Sequence, residues 1–156
     1  MFPKTIFLVV IYVVFSSFLK ENTSETTKLR HDIVAKAESY LGYPYKYASH
    51  NPNQGFDCSG LVYFIFKSFD VDVPRSSKGY DALDSNELNE AQIGDVIVFT
   101  GYEDQRRIPG HVGIISKIYE DELCFIHAST YKGVIETELN STYYRERFLY
   151  IVNVLD

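Results

Sequence analysis

The sequence lacks tryptophan, has one methionine and two cysteines, and contains no block of basic residues; its net charge is −6. The acidic balance argues against nucleic acid as a partner. Two cysteines are too few for a disulfide-rich scaffold. No internal repeat is present, which argues against a solenoid. The 156 residues, 46% of them hydrophobic, with 13 Tyr and 11 Phe, instead predict one folded domain with an aromatic core.

An apolar run opens the chain. Lys4 precedes the run Ile6–Phe15, an order typical of the n-region and h-region of a secretory signal. The uncharged span Thr5–Leu19 would be about 22 Å long as a helix, short for a hydrocarbon core of about 30 Å. We therefore expect residues 1–19 to be a signal peptide, or alternatively an uncleaved membrane tether through the same span, and the protein to be exported to the periplasm or outside the cell.

Helices dominate the first half of the predicted domain. The polar stretch Lys20–Thr27 is predicted to be a flexible leader, with the folded domain at residues 28–156. Apolar residues at helical spacing predict a helix over Leu29–Leu41, and a second, largely apolar helix is expected over Ser59–Phe69. A short helix is expected near Ser77–Leu83.

Strands dominate the second half. Five β-branched, alternating segments predict strands at residues 95–100, 111–119, 122–129, 134–139 and 147–155. Helices first and strands afterwards predict an α+β domain, with N-terminal helices packed on an antiparallel β-sheet.

Cys58 stands where a polar loop meets an apolar helix, in the stretch "GFDCSGLVYFIF". A helix N-terminus favours the thiolate, the nucleophilic form of cysteine, so this position predicts a lowered thiol pKa. Gly60 in the first turn would let a substrate approach the backbone closely. Cys124, inside a strand-like run, is expected to be a small core residue. One Cys58–Cys124 disulfide is compatible with export but is disfavoured by these surroundings.

Two of the four histidines are candidates for the base that a cysteine nucleophile needs. His31 and His50 are expected on the solvated surface. His111 and His127 fall on consecutive predicted strands. If these two residues paired directly, the hairpin formed by the strands would be centred on Tyr119. Because the polar tip of the hairpin lies about two residues later, we expect a wider turn or a bulge there. In a regular hairpin the two histidine rings would be displaced from each other by about 10 Å along the strands.

Five segments in order make the chain resemble the NlpC/P60 family of cell-wall cysteine peptidases, from about residue 34 to 154. They are "LGYPYKYASHNPNQGFDCSGLV", "VPRSSKGY", "AQIGDVIVF", "HVGI" and "FIHAS". The resemblance implies a papain-like fold and hydrolysis of an amide bond in a peptidoglycan stem peptide, commonly between γ-D-glutamyl and a diamino acid. Two glycines usual in the family are replaced by Ala48 and Ser49, so the substrate preference is less well defined than the reaction.

The resemblance also implies roles for individual residues. Cys58 would be the nucleophile, His111 the base and His127 the polar residue that orients it. Tyr45 would point its hydroxyl at the thiol, with Tyr47 as the alternative.

Three further residues would contact the substrate. Asp57 and Ser59 resemble a pair that contacts its polar groups, and Arg75 would meet a substrate carboxylate. Asp57 could equally be a helix N-cap, and Arg75 could lie in a solvated turn.

Other functions are compatible with the same residues. The domain could bind wall peptides without cutting them, or could be a related thiol amidase or acyltransferase. Cys58, His111 and His127 could also bind Zn²⁺, but no acidic residues that would support such a site are evident. We expect no metal and no cofactor, a monomer, and peptidoglycan stem peptide as the partner.

Overall fold

The computed structural model of the chain describes residues 23–101, 107–120 and 122–155. Within these residues the α-helices are α1 (residues 23–38), α2 (Cys58–Lys67) and α3 (Thr142–Arg147). Two 3-10 helices cover Ser77–Ala82 and Leu88–Glu90. The short helix expected near Ser77 is therefore present, in 3-10 form.

The strands form one small and one large antiparallel sheet. A two-stranded sheet pairs β1 (His50–Asn51) with β2 (Gly55–Phe56) just before α2. The large sheet has the order β6-β5-β4-β3-β7, with β3 (Val96–Thr100), β4 (Pro109–Ile118), β5 (Leu123–Ser129), β6 (Gly133–Glu138) and β7 (Phe148–Val152). Each of the five predicted strands has a counterpart here. The predicted α+β fold with helices on an antiparallel sheet is confirmed.

The start of α1 differs from the prediction. Residues 23–27, expected in a flexible leader, belong to the helix. Polar helix-surface contacts explain this: the Thr27 hydroxyl donates to the Thr23 carbonyl, and Lys28 pairs with Asp32 one turn later. The predicted signal or tether, residues 1–19, lies outside the described residues. No helix in the described ranges combines the length and apolarity needed to cross a bilayer.

Both faces of the large sheet are buried, which is why every residue of β3 is buried. Because side chains alternate along a strand, Val96 and Val98 pack on the helices α1 and α2, whereas Ile97 and Phe99 point to the other face. That second face is covered by residues of α3 and β7, including Tyr144. The sheet thus carries the helices α1 and α2 on one side and an aromatic cluster on the other.

A buried ion pair ties α1 to the sheet. Arg30 Nη1 donates to Asp95 Oδ1 at 2.6 Å, and the two residues are 3% and 0% exposed. Arg30 also donates to the Ile93 carbonyl at 3.1 Å and to Asn153 Oδ1 at 2.9 Å. Asp95 Oδ2 accepts the Gln92 N–H at 2.9 Å. A charge buried this deeply needs all of these partners, because its hydration is lost.

We expect Asp95→Ala to lower the free energy of unfolding by about 3 to 4 kcal/mol, because it leaves the Arg30 guanidinium buried without its counter-charge. Urea unfolding at pH 7 measures the change. Asp72→Ala is the matched control, since Asp72 forms its ion pair with Lys67 on the exposed surface. Equal stability of the two variants would contradict this account of the buried pair.

Candidate active site

Cys58 is the first residue of α2 and is half-buried. Asp57 caps the helix, accepting the Gly60 N–H on Oδ1 at 2.6 Å. Gly60 does not open space for a substrate as expected: a Cβ at this position would collide with the Ser49 carbonyl. The same carbonyl accepts the Asp57 N–H at 3.0 Å. The glycine therefore allows the loop to pass tightly over the helix start and fixes the thiol's position.

Asp57, Ser59 and Arg75, predicted to contact substrate, bond to one another. Both terminal nitrogens of Arg75 donate hydrogen bonds to the Asp57 carboxylate, at 3.0 and 2.8 Å. Arg75 Nη1 also donates to Ser59 Oγ at 3.1 Å. The Ser59 hydroxyl donates to Asp57 Oδ1 at 3.2 Å. Asp57 is therefore the N-cap, and Arg75 is paired rather than solvated in a turn. Their contact with substrate remains a prediction.

The two histidines are diagonal neighbours, not directly opposite ones. Ile114 pairs with Ile126, and this register sets His127 across from Gly113, two residues along β4 from His111. The expected bulge exists, but it lies between Ile115 and Lys117 in the body of the strand. A Cβ on residue 113 would come within 3.2 Å of the His127 Cβ. The glycine thus lets β4 approach β5 closely at the residue that lies across from His127.

The rings meet despite the diagonal register. His111 Nε2 lies 2.9 Å from His127 Nδ1. The far nitrogen of His127, Nε2, lies 3.1 Å from Thr137 Oγ1 and 3.3 Å from the Tyr144 hydroxyl. His127 is fully buried, whereas His111 is partly exposed. The arrangement forms a chain of polar groups that runs from His111 at the cleft through the buried His127 to Thr137 on β6 and Tyr144 on α3.

A cleft of about 400 Å³ at the end of the sheet where β3 ends and β4 begins is lined by three of the four predicted catalytic residues, Tyr45, Cys58 and His111. The described residues lining it are Tyr45, Cys58, Phe99, Thr100, Gly101, Gly110, His111, Ser129, Thr130, Tyr131, Tyr143, Tyr144 and Arg147. Tyr45 is half-buried there and its hydroxyl bonds to Thr130, whereas Tyr47 is 83% exposed. Of the two loop tyrosines, Tyr45 is thus the one beside the thiol.

Burial, not the helix N-terminus, has the larger effect on the thiol. It raises the pKa of Cys58, and the Asp57 charge raises it further. Backbone N–H groups of Val112, Ser59 and Cys58 itself act in the opposite direction but do not prevail. The expectation of a lowered thiol pKa is therefore wrong: the helix contributes donors, but the cost of burying the charge exceeds their effect.

Burial also keeps both histidines neutral. It lowers the pKa of His111 to about 4. Burial, with a smaller contribution from His111, lowers the pKa of His127 to about 2. Burial, followed by the negative charges of Cys58 and Asp57, raises the pKa of Tyr45, which therefore remains a hydrogen-bond donor. At neutral pH the resting site holds an uncharged thiol and uncharged imidazoles.

Several residues of the site were not identified from sequence. Tyr144 packs against the His127 ring at 5.2 Å between centroids, and Thr137 bonds to its Nε2. The Tyr80 ring is fully buried, and its hydroxyl has no hydrogen-bond partner within the described residues. Burial raises the pKa of Tyr80, and the charge of Cys58 raises it further. Neither tyrosine lies in one of the segments carrying the two histidines or the cysteine, so only the tertiary structure brings it to the site.

Three observations bear on other possible sites. A larger cleft of about 730 Å³ lies between the second 3-10 helix and the β4–β5 turn, and neither Cys58 nor a histidine is among the described residues that line it. Across the described ranges, no group of three His, Cys, Asp or Glu side chains is arranged to hold a metal ion. Both cysteines are free. The chemistry-bearing groups therefore converge in the smaller cleft.

A family model and several known proteins match most of the chain. A family model described as "NlpC/P60 family" matches residues 42–153. The chain is 34% identical over 113 residues to the Escherichia coli K12 protein named "Probable endopeptidase NlpC", covering 71% of this chain and 69% of that protein. It is 31% identical over 113 residues to "Gamma-DL-glutamyl hydrolase" of Bacillus subtilis, covering 72% of this chain. The chain spans only 26% of that longer protein.

A solved structure shares the fold. It is the protein from Staphylococcus aureus Mu50 described as similar to a lipoprotein of the NLP/P60 family. The TM-score is 0.69 at 28% sequence identity, and the match covers 85% of this chain and 42% of that one. The matched regions include the segments that carry both Cys58 and the two histidines.

Proposed function

The chain belongs to the NlpC/P60 family, and from that premise we propose that it is a cysteine peptidase that hydrolyses amide bonds in peptidoglycan stem peptides. The observation that carries the proposal is the cleft shared by Cys58, Tyr45 and His111, with His111 hydrogen-bonded to a buried second histidine. A nucleophile, a base and a group that orients the base are the parts that covalent acyl transfer requires.

In the proposed mechanism, His111 takes the thiol proton as Cys58 attacks the scissile carbonyl carbon. The resulting oxyanion is held by the Cys58 backbone N–H and by the Tyr45 hydroxyl. His111 then gives its proton to the leaving amine, the C–N bond breaks, and a thioester remains. Water, deprotonated by the same histidine, hydrolyses the thioester and restores the thiol.

The neutral resting state suits general-base catalysis. If His111 donates its Nε2–H to His127 Nδ1, its own Nδ1 keeps the lone pair that the thiol proton needs. The strongly lowered pKa of His127 supports this direction, because a neutral His127 can accept on Nδ1 and donate from Nε2 to Thr137. A protonated His127 would instead repel the imidazolium that forms on His111.

The bond we propose is the one between γ-D-glutamyl and a diamino acid. The similarity to a protein named gamma-DL-glutamyl hydrolase supports a γ-glutamyl amide as the substrate. Mass spectrometry of fragments released from purified sacculi tests this: a new γ-D-glutamyl carboxyl terminus is expected. Fragments cut at an amide outside the stem peptide, or transfer of the acyl group to an amine, would favour the related thiol amidase or acyltransferase instead.

We expect His127→Ala to lower kcat by about 10²-fold, because His111 loses the partner that fixes its ring and tautomer. His111→Ala should lower kcat further, since the proton acceptor itself is removed. Fragment release from sacculi measures both. His31→Ala, on the exposed surface of α1, is the control for histidine removal. Full activity of His127→Ala would show that the ring contact has no part in catalysis.

A further inference from the structure

The far side of the buried His127 ring faces two hydroxyl groups of different chemical character. His127 Nε2 lies 3.1 Å from Thr137 Oγ1 and 3.3 Å from the hydroxyl oxygen of Tyr144. A neutral imidazole has one N–H and one lone pair, so only one of its two nitrogens can donate. The hydroxyl that bonds to Nε2, and the direction of that bond, therefore decide which nitrogen of His127 carries the proton.

Sheet geometry brings Thr137 to this position. Ile135 of β6 lies directly across from His127, and Thr137 follows two residues later, across from Phe125. Because side chains alternate along a strand, Thr137 is on the same face of the sheet as His127 and is its diagonal neighbour. His111, His127 and Thr137 thus form a diagonal row across β4, β5 and β6. Of the three, His111 alone is among the described residues that line the active cleft.

The position of the His127 proton decides what His111 can do. If His127 donates its Nε2–H to Thr137, its Nδ1 has a lone pair and accepts the Nε2–H of His111 across 2.9 Å. The Nδ1 lone pair of His111 can then take the thiol proton. If a hydroxyl instead donates to His127 Nε2, the proton of His127 lies on Nδ1 and points at His111 Nε2. A neutral His111 must then carry its own proton on Nδ1, where it cannot act as a base.

The two hydroxyls favour opposite tautomers of His127. A phenol is a stronger acid than an aliphatic alcohol, so Tyr144 is the better donor and Thr137 the better acceptor. Burial raises the pKa of Tyr144 to about 12, so its phenol keeps the proton at neutral pH. The oxygen of Thr137 is also the nearer of the two to His127 Nε2. Both differences favour Thr137 as the acceptor of the His127 Nε2–H.

We propose that Thr137 is a positioning residue that fixes the tautomer of His127 by accepting its Nε2–H. Tyr144 is the competing donor, and it stabilises the other tautomer when the hydroxyl of Thr137 is absent. The inference rests on the proposed function and adds to it the group that determines whether His111 has a lone pair for the thiol proton. Thr137 acts through the two histidines and touches no reacting atom.

Long-range proton–nitrogen NMR correlation spectra test the tautomer directly, because protonated and unprotonated ring nitrogens resonate at well-separated frequencies. In the wild type at neutral pH we expect the proton of His127 on Nε2. Thr137→Val removes the hydroxyl and keeps the branched shape. It should shift the tautomer ratio about tenfold toward Nδ1–H, the effect of one lost hydrogen bond. Thr137→Ser should keep the wild-type signals. A proton on Nδ1 in the wild type, or unchanged signals in Thr137→Val, would overturn the assignment.

Kinetics on the soluble peptide L-Ala-γ-D-Glu-L-Lys test the consequence for catalysis. Thr137→Val should lower kcat by up to about tenfold, in proportion to the molecules that lose the productive tautomer. Its KM should stay as in the wild type, because Thr137 is not among the described residues that line the cleft. Thr137→Ser should restore kcat. A lower kcat with unchanged His127 signals would mean that Thr137 acts only through packing, which contradicts the proposal.

Thr27→Val is the matched control. It removes a threonine hydroxyl from the exposed surface of α1, where that hydroxyl donates to the Thr23 carbonyl. It should change neither kcat nor the nitrogen signals of His127. A tautomer shift in this variant as large as that in Thr137→Val would show that the shift does not report contact with the ring.

Adding Tyr144→Phe to Thr137→Val tests the competition between the two hydroxyls. With the phenol donor removed as well, nothing in this pair donates to His127 Nε2. The Nε2–H signal should recover in part, and kcat should rise above that of Thr137→Val alone. A double variant that keeps the tautomer of Thr137→Val would overturn the role of Tyr144 as the competing donor.

The spectra separate this inference from the proposed function, because they need no substrate. If the wild type cleaves neither the peptide nor sacculi, the proposed peptidase activity is wrong, and the nitrogen signals of His127 still decide whether Thr137 sets the tautomer. If the wild type cleaves the peptide while His127 carries its proton on Nδ1, the proposed function stands and the role of Thr137 is overturned.

Discussion

Replacing Cys58 by alanine is expected to reduce fragment release from purified sacculi by at least about 10⁴-fold, to the limit of detection. The reason is that in the proposed mechanism every bond change passes through the sulfur, so its removal leaves only binding and the oxyanion donors. Folding should survive, because the thiol is small and half-buried at a helix start whose cap is supplied by Asp57. The thermal midpoint of unfolding of the Cys58→Ala variant shows separately whether it is folded.

Cys124→Ala is the control for cysteine loss. Cys124 lies on β5, 7% exposed, and does not line the active cleft. Its substitution should leave the rate of fragment release intact. If Cys58→Ala released fragments at the rate of the wild type, thiol catalysis would be ruled out. If the wild type released none but bound sacculi, the chain would be a binding module rather than a peptidase.

Local sequence was sufficient to predict the helix that begins at Cys58, the five strands of the large sheet and the parts of the site that lie next to each other in the chain; it did not predict α3 or the small sheet of β1 and β2. The Cys58 helix follows from a polar-to-apolar junction with an N-capping aspartate, and β4 and β5 follow from alternating β-branched residues. These features depend on residues within one turn or one strand. The fold class then follows because helices that precede strands must cover one face of the sheet.

Features that depend on tertiary packing could not be predicted in the same way. The relative register of His111 and His127 depends on a bulge near Ile115 and on the space left by Gly113, which no residue spacing reveals. The pairing of Arg75 with Asp57 joins residues 18 apart in the chain. The predicted direction of the Cys58 pKa shift was wrong for the same reason, because the burial of the thiol depends on all the residues packed around it.

The second large effect expected is loss of stability in acid. Burial lowers the pKa of His111 to about 4 and that of His127 to about 2, whereas both titrate near 6.5 in an unfolded chain. Below pH 6.5 the unfolded chain therefore binds protons that the folded chain cannot, which shifts the equilibrium toward unfolding. For each pH unit that the pH falls below 6.5, each histidine should lower the free energy of unfolding by about 1.4 kcal/mol. The loss from His111 ends near pH 4, and that from His127 continues toward pH 2.

Urea unfolding at intervals from pH 7 to pH 4 measures this slope. Both histidines together should remove several kcal/mol by pH 4, a large part of the stability of an ordinary domain. Glu136 adds little in this window: burial raises its pKa, but hydrogen bonds from Lys117 and Ser116 lower it overall, so its contribution is lost only below about pH 4.5.

His127→Gln separates the two histidines. It removes one titrating group and should halve the slope between pH 6.5 and pH 4, whereas His31→Gln on the exposed face of α1 should leave the slope as in the wild type. A slope unchanged by His127→Gln would mean that His127 already carries its proton in the folded chain at these pH values. It could then no longer accept the Nε2–H of His111, and the thiol would face a nitrogen without a lone pair. The acid stability of the fold and the competence of the catalytic base therefore depend on the same neutral ring.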